Sequence, residues 1–281
     1  MKPPAPYELL DFGAGRKLER FGAFVLDRPA PAAEGIDVAE PALWQQATAR
    51  YERRGEVGHW LPRAALPETW PLQFEPFTLE LKPTEFGHLG IFPEQAENWA
   101  WIAAQVRASP QPCKVLNLFA YTGGSTLAAA AAGAEVVHVD AAKNVVAWAR
   151  QNAERSGLEA APIRWICEDA AKFVRRERKR GHRYDAVILD PPSFGRGPAG
   201  QFWKLAEDLP RLLADCCALT GGTPRFMLVT AHTTGLERSQ LAGWLHAGLG
   251  QEAAPLESSE LAVKTQTGRA LVCGVLARVA R

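Results

Sequence analysis

The sequence predicts an α/β fold: a doubly wound, mostly parallel seven-stranded sheet with a small β-rich N-terminal appendage. Three observations carry that prediction. From about Pro93 onward, short apolar runs alternate with helical periods, and that alternation implies a parallel sheet covered on both faces. An acid stands just beyond three successive runs, at Asp140, Asp169 and Asp190. The last two apolar runs flank Thr267-Gly268-Arg269, the pattern of an antiparallel hairpin that finishes the sheet.

The elements follow in chain order. Prolines at 29, 31, 41, 62, 67, 71, 76 and 83 cut the first 85 residues into short apolar pieces such as Phe21–Leu26 and Phe77–Leu81, read as small strands and turns. One short helix is expected over Pro41–Arg53. Trp44, Trp60 and Trp70 are expected to fill a small core rather than to make a base-stacking surface. Glu94–Arg107 reads as a helix with Trp99 and Ile102 on one face. Then come a strand at Val115–Phe119, an alanine-rich helix at Gly123–Ala132, a strand at Val136–Val139 ending in Asp140, and a helix at Val145–Ser156. Ile163–Ile166, Tyr184–Leu189 and Phe226–Thr230 are strands, with helices at Ala170–Arg180 and Leu205–Leu219 between them. Leu261–Gln266 and Ala270–Val279 form the closing hairpin. The organisation expected is a β-rich domain over 1–85 and a larger domain over 86–281.

Composition narrows the function classes. At 281 residues with 47% apolar and 22% charged residues, the chain is an ordinary globular one, large enough for a substantial core. The net charge is +1, with 10 Lys/Arg against 13 Asp/Glu in residues 1–85 and 22 against 18 in the rest, so any nucleic-acid contact must be local. Cysteines at 113, 167, 216, 217 and 273 have no metal-ligand spacing and suit a reducing compartment. No signal-like segment opens the chain, and the alanine-rich stretch Leu127–Val139 is too short and too interrupted to span a bilayer. A soluble, cytoplasmic protein with no metal and no membrane contact is expected.

Four motifs carry chemistry. Ala120-Tyr121-Thr122-Gly123-Gly124-Ser125 follows a strand and opens a helix, where glycines admit a ligand close to the backbone and the helix start offers N–H groups. The spacing is neither GxGxxG nor a phosphate-binding P-loop, and a plain tight turn is the alternative. Asp140, 17 residues after Gly123, is placed either to accept from the two hydroxyls of a ribose or to cap the next helix. A ribose carboxylate serves NAD and S-adenosylmethionine sites alike. Asp169 is placed to accept from an adenine amino group or to cap its own helix. Asp190-Pro191-Pro192-Ser193-Phe194 ends a buried run abruptly and leaves a carboxylate, a rigid turn and an aromatic ring at the rim where ligands of open α/β sheets bind. A dinucleotide site needs neither the third acid nor the double proline.

In combination these residues resemble the class I S-adenosylmethionine-dependent methyltransferases, most closely the bacterial group related to large-subunit ribosomal-RNA methyltransferases. The matching segments are GIFPEQAENW at 90–99, VLNLFAYTGGSTLAAAAAGA at 115–134, VVHVDAAKNVVAWARQNAERSGL at 136–158, EDAAKFV at 168–174 and YDAVILDPPSFGRGP at 184–198. The resemblance implies a Rossmann-like methyltransferase domain that uses S-adenosyl-L-methionine. It implies that Phe119, Ala120, Tyr121, Thr122, Gly123, Gly124 and Ser125 wrap the methionine part, with Ser125 departing from the aromatic often found there. It implies that Asp140 and Ala141 meet the ribose, that Asp169 and Ala170 meet the adenine, and that Gln95 lies on the cofactor side. Asp190, Pro191, Pro192 and Phe194 would surround the reactive methyl.

The acceptor is read less directly. An exocyclic base amine would place its N–H groups on Asp190 and a proline-turn carbonyl, with Phe194 stacked on the base. Methylation of cytosine carbon 5 needs a thiolate, and relatives with that chemistry carry a cysteine after the next strand; this chain has Thr230-Ala231-His232. Cys216 and Cys217 read as packing residues, and His232 as either a base near the site or a loop residue. Lys172–Arg183 holds seven Lys/Arg and one Glu, either a solvated helix face or a local RNA-phosphate contact. Trp203 and Lys204 are candidates for the acceptor pocket, and the glycine-rich Ser193–Gly200 segment for a lid. The reading is a methyltransferase acting on RNA, ribosomal RNA first. A methyltransferase for small molecules or protein side chains and a non-catalytic cofactor-binding module are the alternatives.

Overall fold

The computed structural model describes residues 5–55, 57–196, 202–249 and 255–281. The chain divides into two compact units, Met1–Glu94 with Ala262–Cys273, and Gln95–Leu261 with Gly274–Arg281.

The first unit is β-rich. Strands β1 (Tyr7–Gly13), β2 (Arg16–Phe21), β3 (Phe24–Pro29), β4 (Ala49–Arg54) and β5 (Val57–Leu61) form one sheet in sequence order, and β6 (Trp70–Phe74) pairs with β7 (Phe77–Leu81). Two sequence expectations are corrected here. Phe21–Leu26 is not one strand: Gly22, at φ 61°, turns the chain so that Phe21 pairs with Phe24 across a hairpin. Pro41–Arg53 is not one helix: a 3₁₀ segment covers Pro41–Gln46, and the chain then extends as β4 because Tyr51 pairs with Trp60 on β5, rings 5.4 Å apart. Trp60 and Trp70 are buried, and the Trp44 indole N–H donates to Asp11 at 2.9 Å, so these aromatics serve the unit's own packing.

The second unit holds α1 (Ala96–Ala108), β8 (Lys114–Leu118), α2 (Gly124–Ala131), β9 (Glu135–Asp140), α3 (Lys143–Arg155), β10 (Ile163–Cys167), α4 (Ala170–Lys179) and β11 (Ala186–Leu189). A short ribbon follows, β12 (Phe194–Arg196) and β13 (Phe202–Lys204), then α5 (Leu205–Leu219), β14 (Phe226–Ala231) and α6 (Arg238–Leu249). Strands β15 (Leu256–Lys264) and β16 (Ala270–Ala280) finish the chain. The seven-stranded sheet runs β10-β9-β8-β11-β14-β16-β15, parallel from β10 to β14, with β16 antiparallel to β14.

Alternate residues of the central strands enter two cores. Val115, Ala186, Ile188, Phe226 and Leu228 pack with α1 and α2, whereas Leu116, Leu118, Val187, Leu189, Met227 and Val229 pack with α4, α5 and α6. Burial on both faces explains why Ala186–Leu189 and Phe226–Val229 are unbroken apolar runs. Helix α6 had no counterpart in the sequence expectations, nor did the β12–β13 ribbon. Cys216 and Cys217 are buried in the α5 side of the core. Among the described residues no helix is long and apolar enough to cross a membrane.

Candidate functional site

The chain runs outward through β8, β9 and β10, then crosses back over β8 to β11. That reversal opens a crevice at the carboxyl ends of the strands, where open α/β sheets bind ligands. Asp169, Asp140, the Phe119–Ser125 turn, Asp190 and Thr230 follow one another along this rim, in the order of their strands.

The β8–α2 turn is held in a strained shape. Phe119 (φ 54°), Tyr121 (φ 48°) and Gly123 (φ 96°) are left-handed, which costs about 1 kcal/mol or more at each non-glycine position. Asp140 bridges the turn to its own loop, its Oδ2 accepting from Tyr121 N–H at 3.0 Å and its Oδ1 from Ala142 N–H at 2.9 Å. Ala120 N–H donates to Val139 O, and Asn152 of α3 donates to Thr122 O at 2.9 Å. Burial raises the Asp140 pKa and outweighs the backbone N–H groups that oppose it.

The two glycines have different reasons. Gly123 takes a left-handed conformation at the helix start. A Cβ on Gly124 would lie 2.6 Å from Trp99 Cζ2, so this glycine answers to the packing of α1 on α2 rather than to a ligand alone. Gly124→Ala is expected to cost about 1–3 kcal/mol by overpacking. Urea unfolding checks this, and Trp99→Phe in the same background should recover part of the loss.

Beneath the turn, Asn117 donates to Thr126 Oγ1, which meets His138 Nδ1, each at 2.9 Å. His138 Nε2 has no hydrogen-bond partner, and burial pushes the ring's pKa down to about 3. Below pH ~6.5 the unfolded chain binds a proton that the folded protein refuses until far lower pH. Stability from this residue is therefore complete above that pH and falls as the solution is acidified. At pH 5 the loss is ~2 kcal/mol. Comparing the pH dependence of unfolding in wild type and His138→Gln isolates it; identical slopes would contradict it.

Asp169 caps α4, accepting from Lys172 N–H at 2.8 Å, and Ala170 is buried behind it. Asp190 is the most heavily engaged acid of the rim. Gln95 Nε2 donates to its Oδ2 at 3.0 Å, Thr230 Oγ1 donates to its Oδ1 at 2.6 Å, and His232 Nε2 stands 3.3 Å from Oδ1. Burial raises the Asp190 pKa, but His232, Thr230 and Gln95 together bring it below the ordinary carboxylate value. Gln95 therefore lies on Asp190, and it also donates to Thr230 Oγ1 at 3.1 Å. The sequence reading missed Thr230; its only signal was a place at the end of the strand beside Asp190. Pro192 O accepts from the Trp203 indole N–H at 2.7 Å, and the Trp203 and Phe119 rings lie 5.1 Å apart.

Phe194 is 76% exposed, as is Phe202 at 72%, both on the β12–β13 ribbon. Lys204 pairs with Glu207 at 2.9 Å. Half of the lid segment, Gly197 to Gly200, lies outside the described residues. The basic run is largely ion-paired: Arg176 holds Glu168 at 2.5 Å, Lys172 lies 3.8 Å from the same acid, Arg178 pairs with Asp215, and Arg180 lies near Glu177. Arg175 and Lys179 remain exposed.

A parallel α/β sheet with a glycine turn and carboxylates on successive strand ends, at the point where strand order reverses, defines a nucleoside-cofactor enzyme fold. The chain belongs to the S-adenosylmethionine-dependent methyltransferase family, whose model matches residues 42–229. A SAM-dependent methyltransferase structure from Agrobacterium tumefaciens is 38% identical, with a TM-score of 0.93 over 98% of this chain and 90% of that one. SMU.776, solved with SAH, shares the fold at a TM-score of 0.76 and 19% identity, over 98% of this chain and 76% of that one. Ribosomal RNA large subunit methyltransferase I of Aeromonas salmonicida is 37% identical over 115 residues, 40% of this chain and 28% of that protein. The Aeromonas hydrophila protein of the same name is 42% identical over 87 residues, 31% of this chain and 22% of that protein. The matched segments thus span only about a quarter of these curated relatives.

The residues fit the family's cofactor. The turn is pre-shaped by three left-handed residues, and Asp140 offers a partly buried carboxylate beside it. Those are the requirements of a nucleoside with a vicinal diol.

Proposed function

We propose that the protein transfers a methyl group from S-adenosyl-L-methionine to RNA, with ribosomal RNA as the first candidate, and does so without a cysteine adduct. The observation that carries this reading is the continuous rim of Asp169, Asp140, the strained turn and the clamped Asp190 on neighbouring strands. Bound S-adenosylmethionine supplies an electrophilic methyl group. Phe119 to Ser125 wrap its methionine part, Asp140 and Ala141 hold the ribose, and Asp169 and Ala170 face the adenine. Asp190, kept anionic by its donors, sits with Pro191 and Pro192 at the acceptor corner, and the exposed Phe194 ring stacks on the incoming base.

The RNA acceptor draws its support from the names of the curated relatives, and a base amine from the missing cysteine. Arg175 and Lys179 on α4 are the local cations for a phosphate contact. A cytoplasmic setting accords with the free cysteines, three of them buried. A small-molecule acceptor is the second reading, favoured by the neutralised basic helix. Tritiated methyl transfer to ribosomal RNA from cells lacking this gene, run beside protein and metabolite fractions, tests the assignment. Label in RNA alone is the expected result; label only in another fraction replaces the substrate.

A further inference from the structure

The sheet carries a second concave surface at the amino-terminal ends of its strands, opposite the cofactor rim. Side chains alternate along a strand, and Leu116, Val137 and Ile166 pack on the α4 side. Lys114, Glu135 and Arg164 each stand one alternation before one of them, so they share that side. With Glu177, His182, Arg183 and Tyr184 from α4 and the loop after it, they line a cleft of about 550 Å³, a size suited to a small ligand. The Glu177 side chain is only 1% exposed. Its Oε2 accepts from the Tyr184 hydroxyl at 2.7 Å, and His182 Nδ1 lies 2.7 Å from the same oxygen. Its Oε1 has no hydrogen-bond partner, and the Arg180 guanidinium lies 3.7 Å away. Burial raises the Glu177 pKa, but His182, Tyr184 and Arg164 together bring it below the ordinary carboxylate value. The basic run of the sequence thus reaches this cleft through His182 and Arg183, and Arg183 is fixed by donating to Ala218 O. Lys114 and Glu135 are cross-strand neighbours. Among the described residues, neither their side chains nor that of Arg164 is held in an ion pair.

We propose that this cleft is a second binding site and takes a nucleotide, its phosphate on Arg164, Arg183 and Lys114 and an amine-bearing base edge on Glu135. The inference does not depend on the methyl acceptor proposed above. Three cations with no carboxylate bound to them favour an anion, and guanidinium groups match a phosphate in planar, bidentate fashion. A carboxylate is an acceptor only, so Glu135 asks the same ligand for N–H donors. A nucleotide whose base bears an exocyclic amine supplies both charges of contact, whereas uracil offers an oxygen in place of the amine. Glu177 does not touch the ligand in this account. It fixes the loop that presents His182 and Arg183, by holding His182 and Tyr184 on one oxygen. The same chemistry is offered by a free mononucleotide and by an unpaired nucleotide of an RNA strand.

Calorimetric titration of GMP, UMP, inorganic phosphate and a single-stranded RNA oligomer into wild type, Arg164→Ala and Asp140→Ala tests this. Arg164 is exposed, so its truncation leaves the core intact. GMP should bind wild type and Asp140→Ala alike, and Arg164→Ala should weaken it roughly tenfold or more. UMP should bind more weakly than GMP. Binding of GMP itself assigns a free nucleotide; binding of the oligomer alone, with the same dependence on Arg164, assigns a nucleotide within RNA. The proposal is overturned if Arg164→Ala weakens no ligand, or if inorganic phosphate binds as tightly as GMP. It is equally overturned if the nucleotide is lost in Asp140→Ala and kept in Arg164→Ala, which would put it at the cofactor rim. None of these titrations measures methyl transfer, so their outcome is separate from that of the acceptor assay.

Discussion

Asp190→Ala should retain S-adenosylmethionine affinity within about tenfold while losing roughly 100-fold or more in turnover, about 2.7 kcal/mol of transition-state stabilisation. The asymmetry follows from where the carboxylate sits. Its oxygens accept from Gln95 and Thr230 and face His232 Nε2 at 3.3 Å, rather than the β8–α2 turn. Removing it releases Gln95 and Thr230 at the proposed acceptor corner, and misplaced groups cost rate rather than cofactor binding. Isothermal titration and single-turnover kinetics on the same preparation measure both quantities. Equal losses in affinity and rate would mean that Asp190 holds the cofactor instead.

Asp140→Ala should do the reverse. Its two oxygens pin Tyr121 and Ala142 and, in the proposed complex, the ribose hydroxyls. Losing charge-assisted bonds of this kind is expected to raise the cofactor Kd roughly 100-fold, about 2.7 kcal/mol. Turnover at saturating cofactor should stay within about tenfold. Asp140→Asn keeps acceptor capacity on one oxygen and should fall between the two. A variant with wild-type affinity would remove Asp140 from the site.

The parallel core was legible because its physics is local. A buried strand such as Ala186–Leu189 is a continuous apolar run bounded by Asp185 and Asp190, and the helices between strands keep helical spacing. Helix α6 carried a signal too, with Leu241, Leu245 and Leu249 buried four residues apart. Gly243 and Gly248 weaken its helix propensity; a Cβ on Gly248 would come within 3.0 Å of Cys217 Sγ, so tertiary packing selects that glycine. The first unit was less legible, because cross-strand partners such as Tyr51 and Trp60 decide that Ala49–Arg54 extends.

The candidate site divides the same way. Gly123, Asp140, Asp169 and Asp190 announce themselves by their places after strands. The clamp on Asp190 does not, since Gln95 reaches it from 95 residues away and Thr230 from 40. Only the neighbouring of β11 and β14 brings Thr230 and His232 to that carboxylate. The basic run was legible as a helix face, but its partners Glu168 and Asp215 emerge only in the fold.

Isothermal titration of S-adenosylmethionine and of NAD into wild type, Asp140→Ala and Asp190→Ala tests the central claim most directly. The account predicts one S-adenosylmethionine bound per chain, no NAD binding, affinity largely lost in Asp140→Ala and largely kept in Asp190→Ala. Binding of NAD alone, or the same affinity loss in both variants, would contradict it.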